Sequence, residues 1–479
     1  MKRFLLIFIS LGIVAAFSTS ALAVDVKVSG EYYAAGLYLD KTALNSSFSN
    51  QPNKGKNQNY DLSTAFFFQR LRVGTDFIVS PCLKLVTRFD AMERIWGGER
   101  SEPGYGGATH DNTGLDNTSA GTRAENENIA FDLVYIDYTA PIGQFRVGYQ
   151  KESTWGTIFG NNGESTPTGQ IRYDNTFGPF SVVAMIAKMT DNSVSAVTSE
   201  DQTDHDSDSY RVGGIYKFKN DKVNGEAGLL LIYGRDATHK HSGSSAYLTR
   251  AYTVNPYFKT NIGPVALQGE GFYTFGDSKD YETENYSSPD VKIDAWRVFL
   301  DAAAKFGIAN VGGSFAWLSG DDPNTPDRAE GYGSAGLDWN PCLILFNNNL
   351  NYWVGPVTGW SGTSVNNSMT NAWFFQGRVG VSPTPQWDIN LAISYAMADK
   401  KPMGLNPQGT PTKVFPNSSY GLEIDVTGTY KITNNLSYML GAGYLFTGDY
   451  FEGIKTTSFG QTWDKSDNFI LINKLTLSF

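Results

Sequence analysis

The chain has 479 residues and is rich in aromatic side chains and glycine, with 30 Phe, 26 Tyr, 10 Trp and 50 Gly. Its 48 acidic residues outnumber 38 basic ones, a formal net charge of −10, which argues against a nucleic-acid partner. Two isolated cysteines, Cys82 and Cys342, make no disulfide scaffold and read as free thiols or one optional bridge.

In chain order, Lys2 and Arg3 precede an apolar run from Phe4 to Phe17, and Ala21-Leu22-Ala23 offers a small-x-small cleavage pattern. Residues 1–23 therefore read as a secretory signal peptide and residues 24–479 as one domain. After Val24 no apolar run reaches the length of about 18 residues that a membrane helix needs. A β-barrel remains open, because each of its strands needs only one apolar face. A mean hydropathy of −0.29 fits that pattern as well as it fits a soluble chain.

Short Gly/Pro/Asn breaks alternate with long polar ones along the chain. The short breaks include Val79-Ser80-Pro81, Ala140-Pro141-Ile142-Gly143, Phe177-Gly178-Pro179 and Thr433-Asn434-Asn435. The long ones include 42–60, 96–126, 191–208, 319–369 and 450–466. Turn chemistry on one side and long loops on the other is the layout of a transmembrane antiparallel β-barrel. Counting alternating runs gives about eighteen strands, with 16 or 20 as alternatives. The doubtful stretch is 319–369, where Leu343 to Val354 reads either as one more hairpin or as a loop folded into the lumen. The loop is the preferred reading.

Period-two alternation assigns faces. Trp296, Val298 and Leu300 alternate with Arg297, Phe299 and Asp301, and Phe145, Val147 and Tyr149 alternate with Gln144, Arg146 and Gly148. Tyr420, Leu422, Ile424 and Val426 share one face and Glu423 and Asp425 the other. A charge facing lipid at mid-depth costs about 2–4 kcal/mol, so the charged members belong in the lumen. The inward candidates are Arg70, Arg72, Arg88, Arg94, Arg146, Arg172, Arg211, Arg297 and Arg378, with Asp137, Asp301, Glu423 and Asp425 among the acids. Such a wall suits small hydrophilic solutes or ions, and unpaired arginines would favour anions. The Gly-rich 153–168 and the long 319–369 are the candidate constrictions.

Other chemistry finds little support. The acidic loop Glu200 to Asp208 could bind Ca²⁺ but lacks EF-hand spacing, and it reads as a solvated loop bridging through divalent ions to lipopolysaccharide. Four histidines, His110, His205, His239 and His241, lie in expected loops without a nucleophile placed beside them. No cofactor motif occurs, so no cofactor, metal centre or enzymatic activity is expected.

The last stretch, Asp467 to Phe479, alternates as well, with Phe479, Leu477, Leu475, Asn473, Leu471 and Phe469 on one face. A terminal aromatic on an alternating strand resembles the closing strand of bacterial outer-membrane β-barrels. That resemblance implies pairing with the first strand and recognition of Phe479, Leu477 and Leu475 by the barrel-assembly machinery. Gly143-Gln144-Phe145-Arg146-Val147-Gly148-Tyr149-Gln150 and Ser319-Gly320-Asp321-Asp322-Pro323-Asn324-Thr325-Pro326-Asp327 resemble stretches of alginate-export-type porins. The implied function is a porin in the outer membrane, embedded among its lipids and lipopolysaccharide, with an Arg-containing lumen. The alternatives are a selective channel for anionic saccharides and a barrel sleeve around a partner protein. The family's Arg on that strand is Tyr149 here, so its substrate does not carry over. Monomer and homotrimer both remain open.

Overall fold

The computed structural model describes residues 24–44, 63–96, 129–152, 154–162, 167–193, 204–240, 245–281, 289–359, 363–405, 411–452 and 465–479. The expected signal peptide, 1–23, lies outside the described residues, as do His110 and His241.

Eighteen strands form the wall. They are β1 (Asp25–Leu39), β2 (Thr64–Ser80), β3 (Leu83–Ile95), β4 (Ile129–Ala140), β5 (Gly143–Lys151) and β6 (Pro167–Phe177). β7 (Phe180–Thr190), β8 (Ser207–Lys219), β9 (Val223–Asp236), β10 (Tyr247–Ile262), β11 (Val265–Tyr281) and β12 (Val291–Phe306) follow. β13 (Ala309–Leu318), β14 (Ala372–Val381), β15 (Trp387–Ala398), β16 (Ser419–Lys431), β17 (Leu436–Thr447) and β18 (Asn468–Ser478) complete the set. The sheet has a nineteenth member, the two-residue strand Arg328–Ala329, which runs parallel to Lys292–Ile293 and is no part of the wall.

Every wall strand pairs antiparallel with its chain neighbours, and the ring closes where β1 meets β18, from Glu31 opposite Ser478 to Leu39 opposite Ile470. Gly30 and Phe479 exchange both backbone hydrogen bonds, at 2.8 and 3.0 Å, beyond the last paired residues. Gly30 is required there, because a Cβ would stand 2.6 Å from the Phe479 ring. Closure leaves no edge, which is the condition for strands to cross lipid, where an unpaired backbone group finds no water.

The outer face carries the apolar half of each alternation. Ile136, Ile171, Ile186, Val212, Leu231, Leu440 and Leu471 are all exposed, Leu440 by 57%. Aromatic side chains gather at both rims of this belt. Tyr252, Phe275, Tyr273 and Trp296 stack in sequence at the long-loop end. Trp317 and Trp373 join them there, and both indole N–H groups donate to Asp399. Phe180 with Tyr216 and Trp387 with Tyr430 mark the short-turn end. An apolar band flanked by aromatic girdles is built for a bilayer with its two interfaces.

The strands number eighteen, as the count of alternating runs has it, and the short breaks named above fall at their turns. Among the described residues there is no further hairpin between β13 and β14; residues 335–357 instead pack inside the barrel with one short helix, α1 (Asn348–Val354). Three of the register shifts move charged or aromatic side chains off strict alternation. Met92, at a φ of 53°, interrupts the β2–β3 register, so Arg94 pairs with Gln69 on the outer face. This corrects the inward assignment of Arg94, and Glu93 takes the inward place beside Arg70. A second bulge, between Arg88 and Phe89 on the pairing with β4, turns Asp132 inward together with buried Leu133. A third, at Gly421 with its φ of 132°, brings Tyr420 inside instead of facing lipid, where its hydroxyl donates to the Asn371 carbonyl.

The alternation carries a direct stability test. Leu231→Arg, on the exposed face of β9, is expected to destabilise the barrel by about 2–4 kcal/mol in urea titrations from lipid vesicles. Thr427→Arg, on the inner face of β16, is expected to cost clearly less.

Candidate pore wall and lumen loops

The charged residues of β2 to β6 form two connected rows on the inner face. In the first, Arg72 reaches Asp90 at 2.6 Å and Asp132 at 3.6 Å, and Arg88 reaches Asp132 at 2.6 Å. In the second, nearer the short turns, Lys84 bridges Asp76 at 2.8 Å and Asp137 at 3.9 Å. Arg146 continues it, 3.6 Å from Asp137 and 3.5 Å from Asp174, which also binds Arg172 at 2.8 Å. Arg146 and Arg172 stand directly opposite each other in register, and the flanking aspartates offset their repulsion. Arg70 pairs with Glu93 at 3.4 Å.

Farther round the wall, Arg211 forms a buried pair with Glu152, and Arg378 binds Asp301 at 2.6 Å. Arg297 differs. Its guanidinium lies 4.0 Å from the centre of the Phe272 ring and donates to the Ser334 carbonyl at 2.5 Å. Among the described residues no carboxylate stands within 4 Å of it. Asp137, Glu423 and Asp425 lie on the inner face and are buried, while Phe479, Leu477 and Leu475 lie on the outer face and are exposed. Sequence parity had no means to find Asp132 or Glu93, since a bulge leaves no residue pattern as specific as alternation.

Two chain segments pack on the inner wall from β7 round to β2. The first, 154–162, is a short loop with a single 3₁₀ turn at Ile158–Gly160. Its Thr157 donates to Glu270 Oε2 through both its N–H and its hydroxyl, at 2.8 and 2.6 Å. Asn255 gives Glu270 a third bond at 3.1 Å. Phe159 is wholly buried, stacked on Phe299 at 5.0 Å and edge-on to Trp339 at 5.2 Å. Trp155 packs on Tyr257 beside Val183, Met185 and Leu230.

The second segment is the stretch between β13 and β14. Trp339, Ile344, Leu345, Phe346, Leu350 and Trp353 are buried in one cluster with inward residues of β1, β2 and β11 to β18. Trp353 stacks 4.3 Å from Phe68 of β2. Its anchor on the wall is polar, since the N–H groups of Ile344 and Leu345 each donate to Glu423 at 2.7 Å and Leu343 donates to Asp425 at 3.2 Å. The two segments also bind each other, through Gly336 N–H to Phe159 O at 2.7 Å and Leu337 N–H to Asn162 Oδ1 at 2.8 Å. Inward Ile470 and Ile472 of β18 thereby gain an apolar neighbour, which explains two apolar residues on a face otherwise polar.

In the described part of the acidic loop, 204–208, the aspartates bind protein cations. Asp204 binds Arg235 through two bonds of 2.6 Å and Lys240 at 2.6 Å, and Arg235 first and Lys240 second hold its carboxyl well below the usual range. Lys188 similarly binds Asp206 and Asp208. His239 stacks on Tyr247 at 4.7 Å.

No family model matches the chain, and no curated protein matches it. Solved structures do. The OpdK protein of Pseudomonas aeruginosa with vanillate is 14% identical at a TM-score of 0.49, over 95% of this chain and 99% of that one. OccK8 (OprE) of the same organism is 13% identical at 0.49, over 95% and 98%. The anion-selective porin of Comamonas acidovorans is 11% identical at 0.42, over 95% and 99%. Likenesses this distant carry no argument about activity. The class rests on the chain's own strands: a closed antiparallel barrel with an apolar outer belt between aromatic girdles, which is the outer-membrane type. Within that class, this barrel has a lumen partly filled by its own chain.

Phe159 is the hinge of the filling. Phe159→Ala is expected to cost about 3–5 kcal/mol of packing. The expected readout is faster proteolysis within 154–162 in detergent-folded protein, with the wall still resistant to unfolding by dodecyl sulfate at room temperature.

Proposed function

We propose that the chain is a porin, passing small hydrophilic solutes or ions passively through the part of the lumen beside the charged wall of β2 to β6. The observation that carries this reading is the asymmetry of the interior. The loop segments pack mainly on the apolar inner wall, whereas Lys84, Asp76, Arg146 and Asp174 keep 26–36% of their side-chain surface open. Charges on the inside of a closed barrel stay solvated only beside water, and a water-filled path lined with charge conducts ions. Residues 154–162 and 335–357 narrow that path.

The finer solute class follows the pairing. Arg70, Arg72, Arg88, Arg146, Arg172, Arg211 and Arg378 each have a carboxylate partner, so the wall is close to charge-balanced. This favours weak ion selectivity over the strong anion preference of a free arginine ladder, and it gives anionic saccharides such as alginate no special support. A sleeve around a partner protein is disfavoured because the lumen already holds the chain's own segments. The export signal 1–23 and recognition of Phe479, Leu477 and Leu475 by the assembly machinery belong to the same reading, supported by the outward exposure of those three side chains.

Planar-bilayer recording of the refolded protein under a salt gradient tests it. Ohmic single-channel steps with a small reversal potential are expected, and folded protein that gives no steps would overturn the reading. Asp137→Asn frees Lys84 and Arg146 from a shared counter-ion and is expected to move the reversal potential towards anions, with conductance of the same order. A shift towards cations would show that Asp137 does not face the conducting path.

A further inference from the structure

Glu423 and Asp425 lie two residues apart on β16, both on the inner face and both buried. Among the described residues no Lys or Arg comes within ion-pair distance of either. Their N–H partners are the backbone groups of residues 343 to 345, which leave Asp425 Oδ1 sealed from water without an N–H or hydroxyl donor, and the two carboxyls lie within hydrogen-bond reach of each other. That oxygen lies in the space beside Gly443, where a Cβ would stand 2.5 Å from it. The buried Cys342 Sγ completes the group, and one ligand atom from each of the three residues lies within 4.8 Å of the others. Ser394, wholly buried and directly opposite Glu423 in register, lies within hydrogen-bond reach of the Cys342 thiol.

Two neighbouring carboxylates shut away from water cannot both stay ionised without a positive partner. A shared proton or a cation would meet that need. The thiol discriminates between them. A shared proton gives Cys342 no role, whereas a thiolate with two carboxylate oxygens is a donor set for zinc, at about 2.3 Å for sulfur and 2.0–2.2 Å for oxygen. Hard cations such as calcium and magnesium avoid sulfur. We propose that Cys342, Glu423 and Asp425 form a binding site for a divalent cation of the zinc class, which fastens the lumen segment at residues 342–345 to β16. On binding, the Sγ–H proton and the proton shared by the two carboxyls both pass to solvent as the sulfur–metal and oxygen–metal bonds form. The orphaned Asp425 oxygen becomes a ligand, and the three N–H groups remain on the carboxylates as outer support.

The test uses the full-length protein folded in detergent, equilibrated with Zn²⁺ and then freed of loosely held metal. Metal analysis is expected to find one zinc per folded chain. Loading with Co²⁺ instead is expected to give a thiolate-to-cobalt charge-transfer absorption. Cys342→Ser should abolish that absorption and Asp425→Asn should lower the retained metal, with both variants still heat-modifiable. Wild-type protein that retains no zinc, or a Cys342→Ser variant that retains as much as wild type, would overturn the proposal and leave a proton shared by the carboxylates. Neither readout uses conductance, so the channel reading stands or falls separately.

Discussion

The constraint on which everything else depends is that a strand crossing lipid must find a partner for every backbone N–H and C=O. A sheet meets it only by closing on itself. Here the last residues of the chain bond to the first strand, and the terminal aromatic ring covers a glycine that leaves room for it. Eighteen strands make a ring too wide for its own side chains to fill, since a barrel of about eight already gives an interior that side chains can fill. The interior of a larger ring holds either water or more chain. This protein uses both, and the division between them is the main feature of its lumen.

On one side the inner wall is apolar, with Tyr33, Leu37, Phe68, Phe374 and Ile470 facing inward, and the chain supplies matching apolar groups from residues 339–369. On the other side the wall is ionic, and the segment 154–162 meets its second row at Thr154, whose hydroxyl accepts from Arg172 at 2.8 Å. Burial explains the contrast. An apolar wall gains from being covered, whereas a row of ion pairs would lose hydration that their mutual attraction need not recover. The exceptions are the carboxylates beneath the loops, Glu270 and Glu423. Each is satisfied by donors that the loops bring with them, so these charges serve as docking points for the chain that covers them.

Much of this was legible before any coordinates. Alternation placed the strands, and parity placed Arg146, Arg297 and Asp301 on the face opposite Val147, Trp296 and Leu300. It failed at Arg94 and Tyr420 and overlooked Asp132, for one shared reason. A bulge adds a residue to one strand and reverses the parity beyond it, and what signals it is a local backbone angle, such as that at Met92, rather than a residue type. The lumen loops were legible as long and glycine-bearing, but their contacts with each other were not. Phe159 and Trp339 are 180 residues apart, and nothing local to either announces the other.

The sequence by itself determined the class of molecule. Period-two hydrophobicity and the spacing of turn residues both act over a few residues, and each is a physical requirement of a strand in lipid. Only the tertiary structure decided how the interior is used: which arginines are neutralised, which carboxylates hold the loops, and where Cys342 meets Glu423 and Asp425. Those outcomes depend on which residues the curvature of the ring brings face to face. Closure joins positions more than 400 residues apart, as where Asn468 meets Lys41, and no pattern along the chain carries that information.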